Sequence, residues 1–462
     1  MSEIVFPGKP LTVNPIKVSQ SMGAVLALLG LDRALPLQHG AQGCTAFNKV
    51  FFTRHFREPI PLQTTAMDQV VTVIGADQNV VDALNTVAVN DRPEIVGLMT
   101  TGLSEMQGAD IHRSIKEFRA AHPEHDSMSI VPVNTPDTLG SLESGYALAL
   151  QSIISTLVPE GRTAGHRPKQ VNVLMSSMLT PGDAEVVREW IEAFGLHPLL
   201  LPDLGGSLDG HLDDGGYATL TKGGVSRDAI ASMGKSAATL VIGASLCTAA
   251  DTLKVLTDVP DYRFDGLMGL EACDAFTQTL ADIAVCPVPA GIGRQRLQLL
   301  DAMVDTHFVV GAGRVAIAGD ADHLGMLTQF LAGVGCKLTA AVASSRAAIL
   351  ERLPLASVAV GDMEDLEDVV QEHGADVLVG NSHATQSAKR LAIPLLRAGF
   401  PQYDWYGGYA RPWVGYRGSR QILFDLANLF AAARKEIEPH RSLYWQGTER
   451  EMASQHTPDI VL

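Results

Sequence analysis

Short apolar runs recur along the chain, each followed by a stretch whose apolar residues fall on one helical face. Residues 94–101 (EIVGLMTT) form one run, and after a polar helical stretch the chain returns in 127–133 (SMSIVPV). A second run, 171–177 (VNVLMSS), leads into 181–194, where Val187, Trp190, Ile191 and Phe194 sit at i, i+3, i+4 and i+7. That spacing marks one buried helical face. Thr180 and Pro181 suit the N-cap and first helical positions, and Gly195 suits the residue past the C-cap. The chain then returns in 197–201. A third run, 314–318 (RVAIA), precedes a helix carrying Leu324, Leu327, Phe330 and Leu331, then Gly335 and a strand over 336–342. A fourth, 376–380, comes before another helix.

Apolar runs alternating with amphipathic helices predict parallel sheets covered on both faces. The fold class is therefore α/β, with three doubly wound, Rossmann-like domains over 1–165, 166–295 and 296–462. The breaks fall at the basic segment 161–169 (GRTAGHRPK) and near 295. In such folds ligands sit just past the carboxyl ends of strands, which singles out 100–102, 176–177, 319–320 and 380–383. No G-x-G-x-x-G follows these strands and no G-x-x-x-x-G-K-[ST] occurs, so a nucleotide site is not evident. The GAGR at 311–314 precedes a strand and reads as a helix-to-strand turn.

Charge narrows the function. With 35 basic and 51 acidic residues the net charge is −16, which disfavours nucleic acid and anionic membranes as partners. The greasiest stretches, 22–29 and 237–246, fall short of the roughly 20 residues of a membrane span. The opening MSEIVFPGKP has no basic region followed by an apolar core, so no secretion signal is read and a cytoplasmic protein is expected. Five cysteines without a C-x-x-C pair suggest neither a disulfide framework nor a self-contained zinc or ferredoxin-type site.

One cysteine has a distinctive setting. A helix marked by Val18, Met22, Val25, Leu26 and Leu29 ends at Gly30, and an extended run over 34–38 leads into His39-Gly40-Ala41-Gln42-Gly43-Cys44. The two glycines are expected to permit positive φ and close approach to a bulky ligand. A thiolate near free backbone N–H groups has the stabilisation that iron ligation requires, although a lone cysteine is more often a small buried hydrophobe. Cys247, Cys273, Cys286 and Cys336 read as structural. Ser382 and His383 are adjacent, an unsuitable arrangement for a nucleophile and its base, and Ser382 suits an N-cap. The acidic run Asp362, Glu364, Asp365, Glu367 and Asp368 reads as a solvated helix start favoured by the helix dipole. Residues 203–222 read as a Gly/Asp-rich surface loop. The polar tail carries Tyr444 and Trp445, which would anchor it on a partner or on its own chain.

These residues together resemble the nitrogenase component 1 family. H-G-x-x-G-C after an amphipathic helix carries the resemblance, as do Glu58-Pro59-Ile60-Pro61-Leu62 with Met67, and Met99-Thr100-Thr101-Gly102 with Glu105 and Gly108-Ala109-Asp110. The aromatic- and glycine-rich 398–428 extends it. The resemblance implies paired chains of three Rossmann-like domains with iron–sulfur clusters between them. In the family's catalytic β subunits further cluster cysteines are expected where this chain has Leu62 and Gly102, which places it among scaffold subunits rather than catalytic enzymes. It implies that Cys44 is the single metal ligand, supported by His39, Gly40 and Gly43, of a [4Fe–4S] cluster shared with NifE in an α2β2 heterotetramer. It further implies that the iron–molybdenum cofactor precursor is held mainly by the partner, with transient docking of the iron protein NifH and supply of precursor by NifB. Three alternatives are a catalytic β subunit of nitrogenase, a dark-operative protochlorophyllide reductase B chain and a sugar-binding α/β protein.

Overall fold

The computed structural model describes residues 2–138, 140–212 and 218–433. The centre of the 203–222 loop and the tail aromatics Tyr444 and Trp445 lie outside the described residues. The chain opens with β1 (Glu3–Val5), then builds a four-stranded sheet from β2 (Ala34–His39), β3 (Gln63–Thr64), β4 (Ile95–Thr100) and β5 (Ser129–Val133), in the order β3-β2-β4-β5. The next sheet holds β6 (Arg167–Met175), β7 (His197–Leu201), β8 (Ser236–Ile242) and β9 (Asp261–Phe264), ordered β7-β6-β8-β9. The last holds β10 (Arg314–Gly319), β11 (Lys337–Ala343), β12 (Ser357–Val360), β13 (Val377–Gly380) and β14 (Leu395–Arg397), ordered β1-β12-β11-β10-β13-β14. Every pairing is parallel. The first residues thus travel to the edge of the last sheet, with Glu3 opposite Ser357 and Val5 opposite Ala359.

The apolar runs are explained by burial on both faces: all six positions of β2 and of β4 are buried, as parallel strands under two helical layers require. The first helix departs from the one-faced expectation. All ten residues of α1 (Gln20–Leu29) are buried, because its apolar cluster continues through Leu201, Leu246 and Leu253 of the second sheet and its helices. The helix α2 (Gln42–Phe56) follows β2, and α1 packs on α3 (Leu142–Leu157) with little room between backbones. A Cβ on Gly23 would lie 1.8 Å from the Leu142 oxygen, and one on Gly145 1.9 Å from the Gln20 oxygen.

Thr180 caps α4 (Pro181–Glu192) in a capping box with Asp183, as its sequence predicts. Burial raises the Asp183 carboxyl, which also accepts the Trp413 and Val414 amides. The long helix α5 (Ala290–Val310) precedes β10, and α6 (Ala321–Gly333) follows it. The acidic run opens α7 (Met363–His373) and is only partly solvated: Glu364 and Asp368 are exposed, whereas Asp362, Asp365 and Glu367 are buried. Asp362 is 1 % exposed and pairs at 2.6 Å with Lys9, which also reaches Asp365 at 3.0 Å. In α8 (Gly415–Ala433), Ile422, Leu423, Leu426 and Phe430 are buried, and Phe430 covers Gly313.

The 203–222 segment is more than a surface loop. Thr221 is buried; its Oγ1 accepts the Ala34 amide at 2.7 Å and donates to the Leu31 oxygen at 2.5 Å, pinning the start of β2. No helix among the described residues is long and apolar enough to cross a membrane.

Candidate functional site

At the carboxyl edge of the first sheet, β2 ends at His39 and α2 begins at Gln42, with Ala41 as N-cap at φ −75 and ψ 151. Alanine offers no capping oxygen, and the first turn of α2 contains no acidic residue. Its amides therefore keep their capacity to face an anion. Cys44 lies in that turn, exposed and free, rather than at the end of a loop.

The glycines act differently from the sequence expectation. Neither Gly40 nor Gly43 has positive φ. Gly40 is required by crowding, since a Cβ there would lie 2.7 Å from Thr101 Oγ1 and 2.8 Å from its Cγ2. At Gly43 a Cβ would meet nothing within 4 Å, leaving open space beside Cys44. Thr101 Oγ1 donates to the His39 oxygen at 3.0 Å. Thr64 Oγ1 and the Met67 amide donate to the Gly40 oxygen at 2.9 and 3.0 Å. Segments far apart in sequence thus meet around the turn.

His39 is fully buried, with Nδ1 2.9 Å from Thr65 Oγ1. Its Nε2 and the neighbouring Thr45 Oγ1 have no hydrogen-bond partner among the described residues. Burial lowers the His39 pKa to about 4, against the pull of the Asp77 charge, so the ring is neutral near pH 7.

The two positions expected to have lost cysteines differ. Gly102 opens a short helix, and a Cβ there would lie 3.5 Å from Asp137 Oδ2, an ordinary contact. Asp137 Oδ1 in turn accepts the Gln20 amide at 2.7 Å, so the neighbour of Gly102 is the start of α1. Leu62, by contrast, is 1 % exposed within the apolar cluster of α1 and Phe52. With leucine at 62 that position is filled by apolar packing and offers no ligand. Sequence inspection did not find Asp137; an aspartate in a loop gives no such signal.

The exposed side of α2 carries two large apolar residues: Phe47 is 63 % and Val50 52 % exposed, and Phe47 meets Phe51 edge-on at 4.8 Å. Its far end is held by the aromatic-rich segment. Buried His55 accepts the Gln402 amide at 2.9 Å through Nδ1. Phe52 and His55 pack on Phe400, and the Arg54 and Arg57 guanidinia lie over Tyr403 and Tyr406. Burial lowers the His55 pKa to about 3.

Residues 19–431 match the model of the nitrogenase component 1 type oxidoreductases. The chain belongs to that family. It is 43% identical over 454 residues to the nitrogenase iron-molybdenum cofactor biosynthesis protein NifN of Klebsiella pneumoniae, with 98% of each chain covered. It is 45% identical to the protein of that name from Nostoc sp., with 94% and 97% covered. Among solved structures, "Nitrogenase Cp1 at pH 6.5" superposes with a TM-score of 0.86 at 28% identity, covering 93% of this chain and 95% of the other. The expected three-sheet α/β fold is that of the nitrogenase component 1 family.

In this family member no group of three or more His, Cys, Asp or Glu residues is arranged to hold a metal ion among the described residues. Burial pushes the Cys336 thiol up to about 12 and raises Cys273 as well, so both stay protonated and inert. Cys247 and Cys286 are half-buried. Ser382 is not an N-cap: His383 occupies that position, while Ser382 Oγ donates to Asp404 and accepts the Tyr403 amide. His383 Nδ1 faces the Pro15 oxygen at 2.9 Å, so the pair forms no nucleophile–base couple.

Where the three sheets meet, the strand ends that the sequence singled out are occupied by side chains. The Asp322 amide donates to Glu143 Oε2 at 2.7 Å. Asp322 itself accepts the Ser245 amide at 3.0 Å and Ser245 Oγ at 2.6 Å. Ser344 donates to Asp320, and Ser345 bonds Ser141 at 3.1 Å. Burial raises all three carboxyls. Asp322 reaches about 6 despite its Ser245 bonds, and Glu143 is pushed further by the charges of Asp322 and Asp320. Residues 176 and 320 carried a strand-end signal in the sequence; Glu143, in a helix, carried none.

Proposed function

We propose that this chain is a subunit of a scaffold for nitrogenase iron–molybdenum cofactor biosynthesis, and that Cys44 is the one thiolate it lends to a [4Fe–4S] cluster shared with a NifE-type partner. The observation that carries this reading is Cys44 itself: an exposed thiol in an uncapped helical turn, flanked by the exposed apolar residues Phe47 and Val50. The naming of the relatives as cofactor biosynthesis proteins supports it.

The residues fit a shared cluster and do not fit a resident one. A four-iron cluster takes four thiolates, and no other cysteine of this chain is exposed. The remaining ligands would come from the partner, so the cluster would join two subunits within an α2β2 heterotetramer. When bound, it would supply one-electron redox capacity at the interface. His39, Gly40 and Gly43 would act in support. Neutral His39 and the Thr101 and Thr64 hydroxyls fix the turn, Gly40 admits Thr101, and Gly43 leaves room beside the sulfur. The first-turn amides of α2 would face the negative charge of the cluster. The precursor of the iron–molybdenum cofactor would be cargo of the complex, held mainly by NifE, supplied by NifB and reduced during docking of NifH. The setting would be cytoplasmic.

The likeness to a nitrogenase structure favours a second reading, a catalytic β subunit. Anaerobic co-purification with a NifE-type partner, iron counting and EPR of wild type and Cys44→Ala separate the two. The scaffold reading expects a four-iron signal in the wild type and its loss, with weakened assembly, in the variant. An eight-iron cluster in the wild type would overturn the scaffold, and an unchanged signal in Cys44→Ala would remove Cys44 as ligand.

A further inference from the structure

Between the N-terminal segment and the last sheet lies a cleft of about 340 Å³ that the cluster reading does not use. It opens just past the carboxyl ends of β11 and β12, lined by Ser344, Ser345 and Arg346 after one strand and by Gly361 and Asp362 after the other. Its opposite wall is the incoming chain, with Lys9 and Lys17. The crevice beyond the carboxyl ends of parallel strands is where open α/β sheets bind ligands, and this volume falls in the range of small-ligand pockets.

The charges in the cleft are not equivalent. Both acidic residues are fully engaged. Asp362 Oδ1 takes Lys9 at 2.6 Å and the Glu364 amide at 3.0 Å, and its Oδ2 takes the Val13 amide at 2.7 Å. Asp365 Oδ2 accepts the Asp362 amide at 2.8 Å and its Oδ1 faces Lys9 at 3.0 Å. Lys9 is neutralised in the same network. Two cations remain. Lys17 bonds only a backbone oxygen, that of Asp137, at 3.0 Å, and Arg346 has no carboxylate partner among the described residues. In a chain of net charge −16, two cations without carboxylate partners lining one strand-end cleft raise the local anion concentration. A guanidinium is suited to bidentate bonding of carboxylate or phosphate, with the ammonium as a point charge opposite.

We propose that this cleft binds a small multivalent oxyanion, gripped between Lys17 and Arg346 at the carboxyl edge of the last sheet. The ligand presents either a phosphate group or paired carboxylates. The site lies on this chain alone and does not depend on the cluster.

The test is isothermal titration calorimetry of the full-length chain as purified, with inorganic phosphate and separately with succinate, chloride holding ionic strength constant. Saturable binding of one anion per chain is expected, weakened about tenfold or more by Arg346→Ala or Lys17→Ala. Lys389→Ala, an exposed cation elsewhere, should leave it unchanged. Both substituted side chains are exposed, and near-UV circular dichroism identical to wild type would show that the variants are folded. Binding of phosphate alone would identify a phosphoryl ligand, and of succinate alone a dicarboxylate. The proposal is overturned if neither anion saturates, if heat tracks ionic strength only, or if the Lys17→Ala/Arg346→Ala double variant binds like the wild type.

Discussion

At the end of β2 the chain leaves a thiol in solvent at the head of an uncapped helix. At the ends of β6, β8 and β10 it buries three carboxyl groups under serine hydroxyls and amides. Both places are carboxyl edges of parallel sheets, where this class of fold ordinarily binds ligands. The difference lies in what closes them. The three-sheet junction is closed from within by Glu143 of α3 and by Asp320 and Asp322 at the start of α6, so it holds the sheets together instead of a ligand. The first sheet's edge is left open among the described residues, and apolar Phe47 and Val50 extend the open face. On the proposed reading, chemistry that needs a second chain would thereby sit at the rim of the molecule and not at its centre.

The strongest challenge to that comparison is Asp322→Ala. If the junction is a structural lock, removing the carboxylate leaves the Ser245 amide and hydroxyl unsatisfied in a buried site, at a cost of about 2–4 kcal/mol. Urea midpoints of the two proteins measure it. A loss below about 0.5 kcal/mol would show that the junction does not hold the sheets together.

A subtler variant, Asp322→Asn, keeps an acceptor for Ser245 and removes only the titration. Burial raises the Asp322 carboxyl from 3.8 to about 6, so the folded chain binds more protons than the unfolded one between these values. The stability this proton confers is full below about pH 4 and is lost as pH rises through 6, roughly 3 kcal/mol in all. Carboxyls such as Asp376, held low chiefly by the Arg314 hydrogen bonds, act in the opposite direction and matter only in more acidic solution. Between pH 5 and pH 7 the wild-type midpoint should therefore fall more steeply than that of Asp322→Asn. Superposable slopes would mean that Asp322 carries no proton in the folded state.

The two regions also differ in how far the sequence disclosed them. The strands and helices of the sheets were legible because burial on both faces writes continuous apolar runs, as in β2 and β4, and because Thr180-Pro181 is local capping chemistry. Cys44 was legible through its neighbours in the chain. What could not be read depends on distant pairings. The requirement for glycine at 40 comes from Thr101, just past the end of β4, Thr221 pins β2 from the second sheet's loop, and β1 joins a sheet formed more than 300 residues later. The buried acid cluster drew one residue from a helix whose sequence gives no sign of it. The motif likewise gives no sign that Leu62 is buried against α1 and Phe52 while Gly102 is half-buried.

The smallest effect separates Leu62 from Gly102. A cysteine at 102 would extend its Cβ to an ordinary 3.5 Å from Asp137 Oδ2, in backbone without positive φ, so Gly102→Cys should change stability by no more than about 0.5 kcal/mol. Gly102 is half-buried, and its new thiol, like that of exposed Cys44, should react with a maleimide in the folded chain. Leu62→Cys removes buried methyl groups from the core of α1 and Phe52 and should cost about 1–3 kcal/mol, with a thiol that reacts only on unfolding. Fast labelling at 62 would place that side chain on the same open face as Cys44. Slow labelling at both would mean that the open edge is narrower than the exposure of Cys44 implies, with room for a single sulfur.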